Sequence, residues 1–140
     1  MEGYKHIEHL IGTYLGARYK DVVEVGIGQN TVAAEVIRDA DVRVRCTDVH
    51  PLDPPAGIDF TLDDIFGPDL SFYWGADLIY AIRPGVEMIP SLIALATELD
   101  ADLVVYHLGD EVYLDGGVTI DCGVRLHQYR VSSEQSGLMD

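Results

Sequence analysis

The stretch Val22-Val23-Glu24-Val25-Gly26-Ile27-Gly28-Gln29-Asn30 constrains this chain more than any other. Three valines around one carboxylate end in two spaced glycines, and Val32, Ala33, Val36, Ile37 and Ala40 then fall on one face of a helical period. The pattern predicts a buried strand turning sharply into a helix, with Asn30 or Thr31 placed to cap the helix start. Glycine in such a turn serves two needs: a backbone free to take positive φ, and room for another group to come close.

The flanking segments extend this unit in a regular way. Ile7, Leu10, Ile11, Tyr14 and Leu15 mark an amphipathic helix before it. After it, Val42-Arg43-Val44-Arg45-Cys46-Thr47 alternates with period two, which predicts a strand toward a sheet edge with one face less buried. Pro51, Pro54, Pro55 and Gly57 enforce a loop, Asp59 to Ile65 reads as a short strand running into a turn, and Gly67-Pro68 ends it. Residues 77–82 and 102–107 read as buried strands. They flank a helix whose broad apolar face runs through Met88, Ile89, Leu92, Ile93, Leu95, Ala96 and Leu99, and Pro90 is tolerated in its first turn. Strand, helix, strand at this spacing predicts a right-handed βαβ crossover. Around Asp115-Gly116-Gly117 the pattern changes to antiparallel strands joined by a tight turn. The expected fold is therefore α/β, a doubly wound, mostly parallel sheet of Rossmann type with a C-terminal antiparallel addition. Residues 1–131 form one domain in this reading, and 132–140 a polar tail.

Composition narrows what such a domain could do. A chain of 140 residues, 48% hydrophobic, supports one core and not two. Its apolar runs are interrupted by charges long before a bilayer-spanning length, and Met1-Glu2-Gly3-Tyr4-Lys5-His6 lacks the order of a signal peptide. A cytoplasmic protein is expected. Two cysteines, Cys46 and Cys122, are too few for a disulfide framework and are not spaced as a metal knuckle. The net charge of −15 would repel a phosphate backbone, so direct nucleic-acid binding is not expected.

In an open α/β sheet, ligands bind beyond the carboxyl ends of the strands, where strand order reverses. The turn at Gly26 and Gly28 lies there, and the helix that follows points free N–H groups at the same spot. Asp48 ends the next strand, 20 residues after Gly28 (48 − 28). A carboxylate at that place accepts hydrogen bonds from the hydroxyls of an adenosine ribose. The dinucleotide pattern G-x-G-x-x-G/A fails, because its last position, counted from Gly26, is Thr31.

Glu24-x-Gly26-x-Gly28-x-Asn30 resembles motif I of the class I S-adenosylmethionine-dependent methyltransferases, with Asn30 in place of a third glycine. The resemblance implies that Glu24 lies near the methionine part of the cofactor, that Gly26, Gly28 and Asn30 line it, and that Asp48 binds the ribose. It also implies a contact of Asp63 or Asp64 with the adenine amino group. Asparagine is the least costly non-glycine residue in a left-handed conformation, so the turn is expected to tolerate Asn30. The chain, through Asp77-Leu78-Ile79-Tyr80-Ala81-Ile82-Arg83-Pro84, is also similar to a small, uncharacterised archaeal protein family of methyltransferase-like fold.

Signals for catalysis are weaker than signals for binding. The fourth strand ends in Ile82-Arg83-Pro84-Gly85, where enzymes that methylate amide or base nitrogens carry Asn-Pro-Pro-Tyr or a variant of it. Arg83 is a candidate clamp for a carboxylate or phosphate, and equally for an internal salt bridge. His107 ends the next strand and is the candidate general base. His50, Asp110 and Glu111 lack ligand spacing, so no metal is assigned. Three functions follow: a methyltransferase acting on a small-molecule or protein substrate, a non-catalytic module binding an adenosine metabolite or mediating contacts, and an NAD-dependent oxidoreductase. The chain has no insertion large enough for a lid, so the first requires a small acceptor, or a partner or second copy completing the pocket as a homodimer.

Overall fold

The computed structural model describes residues 3–133. Seven strands form one sheet in the order β3-β2-β1-β4-β5-β7-β6. The strands are β1 (Asp21–Val25), β2 (Arg43–Asp48), β3 (Ile58–Leu62), β4 (Leu78–Ile82), β5 (Asp102–Tyr106), β6 (Val118–Asp121) and β7 (Arg125–Arg130). The first five are parallel, whereas β7 runs antiparallel to both β5 and β6. Chain order reverses between β1 and β4, which opens a crevice at their carboxyl ends.

Helices cover both faces, and strand periodicity sorts the core into two layers. Val22, Val44, Cys46, Leu78, Tyr80 and Val104 face α1 (Gly3–Gly16) and α2 (Val32–Arg38), where Ile11, Leu15, Ala34 and Ile37 meet them. Val23, Val25, Ile79, Leu103 and Val105 face the opposite layer, with α3 (Leu70–Tyr73) and α4 (Ile89–Leu99) supplying Tyr73, Leu92, Leu95 and Ala96. Strands buried on both sides read as continuous apolar runs, as these do. Gly12 lets α1 and α2 close on each other: a Cβ there would stand 2.8 Å from the Ala33 carbonyl oxygen and from Val36 Cβ.

Two local expectations are corrected. β2 does lie next to the edge strand β3, but the less buried face expected of it is closed, since Val44, Arg45, Cys46 and Thr47 are all buried. Arg45 is only 3% exposed. Its long stem carries the guanidinium to Asp21 Oδ1 at 2.5 Å and to the Phe72 and Trp74 carbonyls, so a charge that reads as solvent-facing is satisfied inside. The hairpin turn also lies elsewhere. β6 and β7 are joined through Cys122-Gly123-Val124, where Gly123 takes a φ of 101° and its N–H donates to Asp121 Oδ1. Asp115-Gly116-Gly117 instead precedes β6, with the Gly117 N–H donating to Asp115 Oδ1. Both places carry Asp-x-Gly chemistry, and pairing of the strands decides between them.

Of the expected tail, Ser132 and Ser133 donate backbone N–H groups to Asp102 Oδ1 and Asp100 Oδ1, and the remainder lies outside the described residues. Cys46 and Cys122 are both free thiols. Among the described residues no helix is long and apolar enough to cross a membrane.

Candidate functional site

The β1–α2 turn is built largely from backbone. Gly26 and Gly28 take φ of 71° and 60°, in the left-handed region that penalises a Cβ. Their amides are engaged: Gly26 N–H donates to the Thr47 carbonyl at 2.9 Å, and Gly28 N–H to Asp48 Oδ2 at 2.8 Å. The other carboxylate oxygen of Asp48 accepts the His50 N–H at 3.0 Å. Asp48 is thus locked to both sides of the crevice before any ligand arrives. A Cβ placed on Gly26 or Gly28 would meet nothing within 4 Å, so open space lies directly in front of both.

A cleft of about 300 Å³ opens here, lined by Gly26, Thr47, Asp48, Asp63, Phe66 and Met88 among others. Val49 and Phe66 line it too, and they are unusually exposed for apolar residues, at 59% and 62%. Asp63 is half-buried and held by the Tyr73 hydroxyl at 2.5 Å and the Asp69 N–H at 3.1 Å. Asp64 is exposed and accepts the Phe66 N–H across a tight turn. Asp48, Asp63 and Asp64 therefore share one cleft.

Glu24 and Asn30 lie on the side of the turn facing α1. Asn30 is not among the residues with positive φ, so the third position of the motif has no left-handed demand for glycine to meet. Its side chain instead accepts the Val32 N–H and donates to Glu8 of α1, while Thr31, at the cap position, makes no capping bond. Glu24 is 2% exposed and accepts the Tyr80 hydroxyl at 2.7 Å. Burial, opposed by that hydrogen bond and reinforced by the Glu8 charge, pushes its carboxyl up to about 8. Glu24 is accordingly a neutral acid at pH 7.

Arg83, just after β4, takes a φ of 55° and donates to Glu8 Oε1 at 2.5 Å, with its guanidinium 5.1 Å from the centre of the Tyr106 ring. Glu8 is 1% exposed. Of the two roles expected for Arg83, the structure shows the ion pair. Glu8 was not singled out from sequence, although it shares a helical stripe with Ile11 and Leu15 three and seven residues on. A charge within an apolar stripe is a readable sign of a buried pair.

His107 stands at the rim after β5, 5% exposed. Its Nε2 lies 2.6 Å from the Tyr129 hydroxyl, and its Nδ1 is enclosed without a partner. Burial and the neighbouring His127 hold its pKa below the usual histidine value. Sequence reasoning missed His127 and Tyr129, which alternate along β7 and so point to the same side of the sheet. Elsewhere, His6 and His9 are exposed on α1. His50, Asp110 and Glu111 are exposed, and among the described residues no three His, Cys, Asp or Glu side chains stand together as a metal site.

The strand order, the glycine turn and the carboxylate after β2 define a methyltransferase-like α/β fold, and solved structures agree. A Plasmodium falciparum protein with a provisional assignment as a ribosomal RNA methyltransferase matches 91% of this chain and 93% of its own, at a TM-score of 0.58 and 13% identity. The CcbJ methyltransferase from Streptomyces caelestis matches 70% of this chain at a TM-score of 0.56 and 18% identity. Coclaurine N-methyltransferase, bound to N-methylheliamine and SAH, matches 71% at 0.51 and 16%. The present chain spans only 50% and 35% of those last two proteins. The chain belongs to the uncharacterised protein family UPF0146, whose pattern matches residues 9–129. Its archaeal relatives include the UPF0146 protein of Archaeoglobus fulgidus, 34% identical over 122 residues that cover 86% of this chain and 92% of the relative.

Proposed function

We propose that the crevice at the β1–α2 turn binds S-adenosylmethionine and that the protein is a small methyltransferase. The observation that carries this reading is the pair of left-handed glycines opening on empty space beside a pre-positioned Asp48 carboxylate. Each Asp48 oxygen accepts one backbone N–H and keeps a second lone pair, which suits it to take hydrogen bonds from the two ribose hydroxyls. Val49 and Phe66 offer apolar surface to a planar base, and Asp63 and Asp64 line the same cleft within reach of its amino group. On the α1 side, Glu8 supplies the carboxylate of the polar cluster, because Glu24 is neutral.

Bound in this cleft, the cofactor supplies an electrophilic methyl group. The chain's own part is then to hold the acceptor in line and to exclude water, and among the described residues no large lid is present to do either. The acceptor is therefore small, or the pocket is completed by a partner or a second copy. A nucleic acid is disfavoured by the charge of −15. A second reading, a non-catalytic module for an adenosine metabolite, is favoured by the commitment of Arg83 to Glu8, which removes the rim's obvious substrate clamp.

Calorimetric titration with S-adenosylmethionine and S-adenosylhomocysteine tests the reading. Saturable binding is expected, weakened by more than about tenfold in Asp48→Ala, given what hydrogen bonds to a charged group contribute. Asp48→Asn, which keeps an acceptor for the turn, controls for folding. Absence of binding at millimolar ligand, or a preference for NAD, overturns it. Binding without methyl transfer to any acceptor favours the second reading.

A further inference from the structure

A second cavity, of about 500 Å³, opens on the other side of the rim, between the end of β5 and the β6–β7 hairpin. Tyr106, His107, Asp110, Asp121, Arg125 and His127 line it. It shares no lining residue with the adenosine cleft.

The hydrogen bonds around it fix the two histidines. His127 Nδ1 lies 2.8 Å from the Gly116 carbonyl oxygen, which can only accept, so Nδ1 carries a proton, and in the neutral ring Nε2 keeps its lone pair. Nε2 makes no hydrogen bond among the described residues, and it is not one of their enclosed, unpartnered atoms. Since His127 is 7% exposed and lines the cavity, the opening left to Nε2 is the cavity itself. His107 behaves differently. The Tyr129 oxygen already accepts the Tyr113 N–H at 3.0 Å, so its own proton is best used toward His107 Nε2. The lone pair of His107 is thereby occupied, and the proton-accepting nitrogen open to the cavity belongs to His127. Edge-to-face packing of the two rings, with centroids 5.0 Å apart, and the stacking of His127 on Tyr129 hold this arrangement.

We propose that this cavity is a second ligand site, for a small cationic amine whose N–H donates to His127 Nε2. A ligand must bring a donor to satisfy that nitrogen. Two carboxylates, Asp110 and Asp121, outweigh the single Arg125 in the lining, and the field of a chain with charge −15 concentrates cations. The site stands without the adenosine reading.

The test is nitrogen NMR of the histidine side chains in the intact protein, with ethanolamine as probe and no adenosine compound present. Expected first is the Nδ1–H tautomer of His127, with a bare Nε2. Ethanolamine should then shift the His127 Nε2 resonance saturably, whereas ethylene glycol, which has the hydroxyls but no charge, should bind about tenfold more weakly. His127→Asn retains an N–H for the Gly116 carbonyl and should leave the melting temperature nearly unchanged, while the ethanolamine response of the Asp110 and Gly123 amides disappears. An Nε2–H tautomer, no shift at millimolar amine, equal response to the glycol, or unchanged binding in His127→Asn each overturns the proposal. Because S-adenosylhomocysteine is titrated separately, failure at one site is read independently of the other.

Discussion

At the β1–α2 turn, the groups that shape the crevice are backbone amides and carbonyls held by residues within one strand–helix unit and its neighbour. Behind the turn and farther along the rim, side chains do the work: Arg83 reaches Glu8, 75 residues away, which also accepts from Asn30 of the turn, and His107 meets Tyr129 beyond β5. The first region rests on conformations that only a few residue types tolerate. The second rests on satisfied partners in a place where water is scarce, so its failures are electrostatic. The contrast is a difference in kind of fragility, and substitutions separate the two.

The largest loss of stability is expected on the side-chain end. Arg83→Ala strands Glu8 as a buried carboxylate without its cation and should cost about 3 kcal/mol or more in urea unfolding. The double variant Glu8→Gln/Arg83→Ala should recover much of that loss, and strict additivity of the two single changes would show that no pair exists.

Glu24 gives the next test, through pH. The folded carboxyl holds its proton up to about 8, while an unfolded one releases it near 4.5. The folded state thus binds more protons between those values, and this group's contribution to stability falls as pH rises through that window. Glu24→Gln should remove the fall, gaining about 4 kcal/mol over wild type at pH 8 relative to pH 4.5. A difference that stays flat with pH would contradict the buried, neutral acid.

On the backbone end, Gly26→Ala should cost about 1–2 kcal/mol from its left-handed φ alone, since the added Cβ meets no atom. A much larger loss would place an unseen steric contact in the turn. Smallest of all, Tyr129→Phe should cost about 1 kcal/mol by leaving His107 Nε2 and the Tyr113 N–H without the shared hydroxyl. Thermal unfolding resolves it.

These fragilities follow what could be read from the chain. Glycines followed by a helix, with a carboxylate 20 residues later, are local signals, because φ preference and strand period act within a few residues. Asp48, which ends β2, was legible for the same reason, whereas Asp63 and Asp64, just past β3 and in the same cleft, were pointed to only by the methyltransferase resemblance. Arg45 misled, because alternation reports which residues face apart and not whether the charged face finds partners inside. Asn30 misled more gently. It stands in a glycine position of the motif, yet its backbone needs no positive φ, and its side chain is spent on Glu8.

By itself, then, the sequence determined the α/β class, the sharp turn after β1, the burial of the central strands and the place of the crevice beside that turn, all of which arise from near-neighbour sterics and hydrophobic period. Only the tertiary structure decided which charges were paired, which carboxyl was neutral and which histidine nitrogen stayed open. Those properties depend on distance and dielectric between residues that the chain alone does not bring together: the Glu24 carboxyl is pushed up because the fold buries it, which outweighs the Tyr80 hydrogen bond, and the Nδ1 proton of His127 is fixed because the loop before β6 lays the Gly116 carbonyl against it.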